Sequence, residues 1–78
     1  MKRTTEEIIA QVLETCLNGS CKTAIVYQNN LNFMKGDLYL DSLMKTGFIA
    51  AVDGKYTTTD KGKELLALIN DTHESILS

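Results

Sequence analysis

Apolar residues recur at the spacing of an α-helix near the start of the chain. They form one stripe, made up of Ile8, Ile9, Val12, Leu13, Cys16 and Leu17. Because residues three and four apart share a helix face, the pattern predicts an amphipathic helix. Thr4 and Glu7 have the spacing of a capping box, and Gly19 suits the left-handed cap that ends a helix. We therefore predict helix 1 from about Thr5 to Leu17.

A second, shorter helix is predicted from about Cys21 to Gln28. Ser20 precedes it and is a favoured N-cap residue, because its hydroxyl can accept a hydrogen bond from the first helical turn. Three side chains of this helix are predicted to face the core, namely Ala24, Ile25 and Tyr27. Asn29 and Asn30 then predict a turn, since asparagine tolerates the backbone angles that turns require.

The third helix is predicted from about Phe33 to Thr46, with Asn32 as its N-cap and Gly47 as its C-cap. The side chains predicted on or near its inner face are Phe33, Tyr39, Leu40, Leu43 and Met44. The side chains that then point outward or sideways are Met34, Lys35, Asp37, Leu38, Asp41 and Lys45. This outer face therefore combines two apolar side chains with two carboxylates and two lysines.

Strand-forming residues flank Asp53-Gly54, which is the commonest signal for a two-residue hairpin turn because both positions favour a positive φ. A second short strand is predicted from Lys55 to Thr58. Thr59 then caps a fourth helix, from about Asp60 to Ile76. The order helix, helix, helix, hairpin, helix predicts a mainly α fold with a small β-hairpin, the winged helix-turn-helix, as a single domain over residues 1–78.

Several short motifs, in this order and with these gaps, resemble those of small archaeal winged helix-turn-helix transcriptional regulators. They are Gly19-Ser20-Cys21-Lys22-Thr23, Asn30-Leu31-Asn32, Tyr39-Leu40-Asp41-Ser42-Leu43, Gly47-Phe48-Ile49 and Tyr56-Thr57-Thr58-Thr59-Asp60-Lys61-Gly62. The resemblance covers almost the whole chain, from helix 1 to the start of helix 4. It implies that helix 3 is a DNA recognition helix, that the wing contacts the DNA backbone and that helix 4 pairs two subunits.

Two residues depart from that family pattern. Gly36 occupies a position where the family usually has a large apolar residue that faces the core. Leu38 occupies a position where the family usually has a polar, outward-facing residue. Because a glycine inside a helix costs about 1 kcal/mol relative to alanine, we expect helix 3 to pack differently in this chain.

Composition limits the classes of function that the chain can have. The 78 residues are 44% hydrophobic and carry a formal net charge of −2. The N-terminus is polar and has no apolar stretch typical of a signal peptide, so we expect a cytoplasmic protein. No motif of nucleotide binding or hydrolytic catalysis is found, and the two cysteines and one histidine lack the spacing of a zinc site. We therefore predict no enzymatic activity, no cofactor and no metal.

Positive charge favours one surface for contact with nucleic acid. In a winged helix, the start of helix 2, helix 3 and the wing line one side, so Lys22, Lys35 and Lys55 are expected to converge there. The full predicted DNA-binding set is Lys22, Thr23, Asn32, Phe33, Met34, Lys35, Leu38 and Lys55. Met34 and Leu38 would contact thymine methyl groups. The alternatives are a protein-binding surface without DNA affinity, or an ordinary solvated face.

Helix 4 carries apolar residues on more than one face. Some of them recur at the spacing of a paired-helix seam, which predicts a homodimer. The predicted interface consists of Leu65, Leu68, Ile69, Thr72 and Ile76. The alternative is one wide core stripe with an end that frays after Asn70. The two cysteines are not expected to form a disulfide: Cys16 is predicted to be a buried, inert thiol, and Cys21 a more exposed one.

Overall fold

The predicted order of elements is confirmed in a computed structural model, which describes the backbone of residues 4–77 and the side chains of residues 4–71. The elements are α1 (Thr5–Thr15), α2 (Lys22–Gln28), α3 (Phe33–Lys45), β1 (Ile49–Val52), β2 (Lys55–Thr58) and α4 (Asp60–Leu77). The two strands form one antiparallel sheet. The chain is therefore mainly helical, with a single hairpin between α3 and α4.

Three helices begin at the predicted caps. The Thr4 hydroxyl accepts a hydrogen bond from the Glu7 amide (3.1 Å), and the Asn32 side-chain oxygen accepts one from the Lys35 amide (2.7 Å). Thr59 starts α4 in the same way, because its hydroxyl accepts a hydrogen bond from an amide in the first turn (3.1 Å). These bonds satisfy amides that have no partner within the helix.

The predicted cap of α2 is wrong by one residue. Its N-cap is Cys21, whose side chain makes no capping hydrogen bond. Ser20 instead forms an isolated antiparallel bridge with Tyr56 of β2, through two backbone hydrogen bonds of 3.0 and 2.8 Å. The Ser20 hydroxyl donates to the carbonyl of Thr15, the last residue of α1. The segment between α1 and α2 is therefore held against the hairpin by a single isolated bridge.

The hairpin has the predicted turn. Asp53 and Gly54 both have positive φ, at 51° and 76°. The register pairs Val52 with Lys55 and Ile49 with Thr58, so the turn contains two residues. Thr58 is buried, and its hydroxyl donates a hydrogen bond of 2.6 Å to the carbonyl of Leu13 in α1. This bond fixes the base of the hairpin to the first helix.

The core lies where α1, α3 and α4 meet, with contributions from α2 and β1. Its buried members are Ala10, Val12, Leu13, Cys16, Ile25, Leu40, Leu43, Ile49, Leu66 and Ile69. In α2 the inward residues are Ile25 and Val26, so the predicted inward position of Tyr27 is wrong. Phe33 is also exposed, because the inner face of α3 begins only at Gly36.

Two glycines allow elements to approach closely. A Cβ atom on Gly36 would lie 2.7 Å from Cγ2 of Val26, which explains why α3 carries glycine rather than a large apolar residue here. The missing side chain lets α2 pack directly on the α3 backbone. At the start of α4, a Cβ on Gly62 would lie 2.1 Å from the carbonyl oxygen of Phe48. Gly62 therefore lets α4 begin against the chain that enters the hairpin.

Candidate nucleic-acid interface

The most outward line of α3 is a ridge formed by Met34, Leu38, Asp41 and Lys45. These residues follow one another at spacings of four, three and four, so they lie along one side of the helix. Met34 is 74% exposed and Leu38 is 65% exposed, as the sequence predicts. The ridge is therefore apolar in the N-terminal half of α3 and charged in the C-terminal half.

The two carboxylates near this ridge are both paired with lysines. Asp41 forms an ion pair of 3.0 Å with Lys45, one turn later. Asp37 forms an ion pair with Lys22 at the start of α2. The side-chain hydrogen bond to Asp37 raises the pKa of Lys22 above its ordinary value. The pairs cancel much of the negative charge that the sequence alone indicates for this face. The Lys22 ammonium is therefore engaged in an ion pair and is not a free positive charge.

The other two predicted lysines have a different setting. Lys35 and Lys55 are exposed, and neither takes part in the salt bridges found among residues 4–71. Thr23 is exposed in the first turn of α2. Asn32 is exposed too, but its side-chain oxygen is occupied as the cap of α3. The structure thus brings Lys22 onto α3 and beside Tyr56 of the hairpin, while Lys35 and Lys55 remain separate charges.

Negatively and positively charged residues are distributed unevenly along the chain. Residues 22–58, which form α2, α3 and the hairpin, contain four lysines, three aspartates and no glutamate. All five glutamates lie outside this segment, and those with described side chains belong to α1 or α4. The helix-turn-helix and hairpin are therefore slightly positive in a protein whose net charge is −2. A local excess of positive charge favours contact with phosphates.

A groove of about 430 Å³ runs between α3 and β2. Its lining consists of Met34, Asp37, Leu38, Leu40, Asp41, Met44 and Tyr56. The participation of Met44 and Tyr56 was not predicted. Tyr56 reaches this position because the bridge to Ser20 fixes the register of β2, and a pairing between residues 36 positions apart leaves no local signal in the sequence.

Reactive side chains are few in the part of the chain with described side chains. Burial raises the pKa of the Cys16 thiol to about 11, whereas Cys21 is exposed. The predicted difference between the two thiols is therefore confirmed. Within the described residues, no group of histidine, cysteine, aspartate and glutamate could hold a metal ion. No helix there is long and apolar enough to cross a bilayer.

The predicted interface on α4 is only partly available for contact with another molecule. Ile69 is 8% exposed and belongs to the core of its own subunit, because α4 packs its inner face on α1. This corrects the expected position of Ile69 on an outer seam. Leu65 is half-buried, and Leu68 is 64% exposed. Thr72 and Ile76 lie outside the described side chains.

Comparison with known proteins places the chain among helix-turn-helix proteins. A family model described as winged helix-turn-helix matches residues 2–76. Sso10a-2, a DNA-binding protein from Sulfolobus solfataricus, has a similar structure, with a TM-score of 0.81 and 30% identity over 92% of this chain and 80% of that one.

Two uncharacterized proteins of Methanocaldococcus jannaschii are also similar in sequence. MJ0287 is 32% identical over 94% of this chain and 76% of its own length. MJ0290 is 35% identical over 97% of this chain, which spans only 36% of the length of that relative. The similarity therefore covers nearly all of this chain but, in the second case, about a third of the relative.

Proposed function

Because this chain belongs to the winged helix-turn-helix family, we propose that it binds duplex DNA through α3 and the hairpin and regulates transcription. The expected resemblance to archaeal winged-helix proteins is confirmed by the family model and by the organisms of its relatives. The observation that carries the proposal is the likeness to Sso10a-2, which is a DNA-binding protein. In this proposal α3 enters the major groove, as recognition helices do, and the hairpin lies against the DNA backbone.

The distribution of charge supports this orientation. Lys22, Lys35 and Lys55 lie in the part of the chain that has no glutamate. Contact between lysines and phosphates releases counterions, so affinity falls with salt in proportion to the number of contacts. Lys22 is paired with Asp37, so the contacts of Lys35 and Lys55 in each subunit correspond to a slope of about −1.8 in a plot of log affinity against log salt.

A salt titration of duplex binding by the intact chain tests the proposal. Replacing Lys35 and Lys55 together with glutamine should flatten the slope by about 1.8 for each bound subunit, because each lysine accounts for about 0.9. Lys63→Gln is the matched control, since Lys63 is an exposed lysine that pairs with Asp60 within α4. If the unmodified protein shows no duplex binding at about 50 mM salt, the DNA proposal fails. The protein-interaction alternative then becomes the better interpretation of this surface.

The ion pair between Lys22 and Asp37 gives a second test with the opposite sign. Asp37→Asn removes a negative charge that faces the DNA and frees Lys22 for a phosphate. Affinity at low salt should rise, and the salt slope should steepen by about 0.9. Asp53→Asn in the hairpin turn removes one charge without freeing Lys22, so it should leave the slope closer to that of the original protein. Equal effects of the two substitutions would contradict the role given to the ion pair.

We further propose that two subunits pair through the outer face of α4. The support is the apolar character of Leu65 and Leu68, which flank the buried stripe of this helix. Leu68→Glu should therefore give a monomer in sedimentation equilibrium without loss of helicity. Ala67→Glu is the control, because Ala67 is exposed and lies about 100° around the helix from Leu68. A monomer for the unmodified chain at about 100 µM would defeat the dimer proposal, since modest interfaces often have micromolar affinity.

A further inference from the structure

The apolar half of the α3 ridge has no role in the packing of the fold. Met34 and Leu38 stand one turn apart, and about three quarters and two thirds of their surfaces are exposed. Phe33, at the first position of α3, is half exposed beside them. The fold thus leaves several large apolar side chains in solvent at the N-terminal half of one helix, where they would be costly without a partner.

This half of the helix is where a recognition helix contacts base edges in the major groove. Its outward side chains offer very little hydrogen bonding. Met34 and Leu38 have no donor, and the neighbouring Asp37 carboxylate is already paired with Lys22. The chain contains one arginine, Arg3, and it precedes α1. Recognition of guanine by a bidentate arginine is therefore not available from α3.

The complementary feature in the major groove is the thymine methyl group. It is the apolar group that the four base pairs present on that edge, and apolar side chains contact it directly. The charge of this surface also favours DNA as the binding partner, because Lys35 follows Met34 and the segment 22–58 is slightly positive. A phosphate backbone on either side of the groove would thus meet lysines while the centre of the helix meets methyl groups.

We infer that α3 selects thymine-rich DNA through contact of Met34 and Leu38 with thymine methyl groups, an inference that rests on the proposed function. Burial of one methyl group contributes about a fourfold change in affinity. Two methyl groups contacted by each subunit would give a preference of roughly tenfold or more over the same duplex without them.

The test compares two duplexes that differ only in this methyl group. One has alternating dA and dT, and the other has dU in place of every dT. Backbone charge and base-pair hydrogen bonding are the same in both, so a lower affinity for the dU duplex reports the loss of the methyl groups, and the variants below assign that loss to contact with the ridge. We expect about a fourfold loss per contacted methyl. A G·C duplex with 5-methylcytosine should likewise bind more tightly than one with cytosine, because that methyl group occupies the same edge of the groove.

Substitutions at Met34 and Leu38 test whether the ridge causes the preference for the dT duplex. Met34→Ala with Leu38→Ala should bind both duplexes with similar affinity, whereas Leu38→Met alone should keep the preference. Both positions are exposed, so thermal unfolding should change little. Equal affinity of the unmodified protein for the dT and dU duplexes would overturn the inference while leaving the proposed function intact. A preference that survives the double substitution would overturn it as well, and absence of binding to any duplex would overturn both.

Discussion

Gly36 sets the distance between the two helices of the helix-turn-helix. Its missing side chain leaves room for Val26, since a Cβ atom at this position would lie 2.7 Å from Cγ2 of Val26. Valine is stiff about its first side-chain bond, and Val26 is almost completely buried, so it cannot easily turn away. Gly36→Ala should therefore push α2 and α3 apart or strain the contact between them.

The sign of the effect follows from two opposing contributions. Alanine in a helix interior is favoured over glycine by about 1 kcal/mol. Overpacking a buried contact costs about 1–3 kcal/mol. Gly36→Ala should thus lower the free energy of unfolding by up to about 2 kcal/mol. In a Val26→Ala background the clash is absent, so the same change should raise the free energy of unfolding by about 1 kcal/mol.

The original protein, the two single variants Gly36→Ala and Val26→Ala, and the double variant form a double-mutant cycle. Urea denaturation of these four proteins measures the coupling energy between positions 26 and 36. We expect a coupling energy of about 1–3 kcal/mol, the size of the relieved overpacking. Ser42→Ala, at an exposed site on α3, is a control for a helix-propensity gain without a clash, although the gain is smaller than that from glycine to alanine. If Gly36→Ala stabilises the original protein as much as the Val26→Ala variant, the close approach does not explain the glycine.

Three further predictions concern the hairpin and the core. Thr58→Val should lower the free energy of unfolding by about 1–3 kcal/mol, because the carbonyl of Leu13 loses its buried donor, and Thr58→Ser should lower it less in the same denaturation assay. Gly62→Ala should cost about 3 kcal/mol or more, since its Cβ would meet the carbonyl of Phe48, and a neutral effect on the thermal midpoint would contradict this. The folded state holds the proton of Cys16 more tightly than the unfolded state, so stability should be complete below about pH 9 and fall as the pH rises toward 11. Thermal unfolding of Cys16→Ala should lack that loss.

The elements that could be predicted from the sequence are those with local causes. Thr4, Asn32 and Thr59 each bond an amide three residues away, so their capping role depends on neighbours in the chain. Asp53-Gly54 specifies its turn in the same way, through backbone angles that few other residue pairs adopt. Local signals of this kind are enough to give the order and type of all six elements.

The features that could not be predicted depend on distant partners. Serine is a residue type favoured at N-caps, but the backbone of Ser20 forms a bridge with Tyr56 instead. In a helix as short as α2, periodicity does not distinguish Val26 from Tyr27 as the inward residue. Val26 faces inward because Gly36 of α3 leaves space for its side chain. From the sequence alone, the carboxylate of Asp37 is expected to repel DNA, because the lysine that pairs with it lies 15 residues earlier in the chain.

The hairpin is firmly held at its base and open at its tip. Thr58 ties the base to α1, whereas a side chain added at Gly54 would meet no atom within 4 Å. The tip is therefore a suitable attachment point for a chemical probe. A cysteine at position 52, where Val52 is exposed beside the turn and Gly54 keeps its positive φ, can carry a DNA-cleaving reagent. In a protein with Cys21→Ser this cysteine is the single reactive thiol, because Cys16 is buried. The cleavage pattern on a duplex would then test, base pair by base pair, the proposal that the wing lies against the DNA backbone.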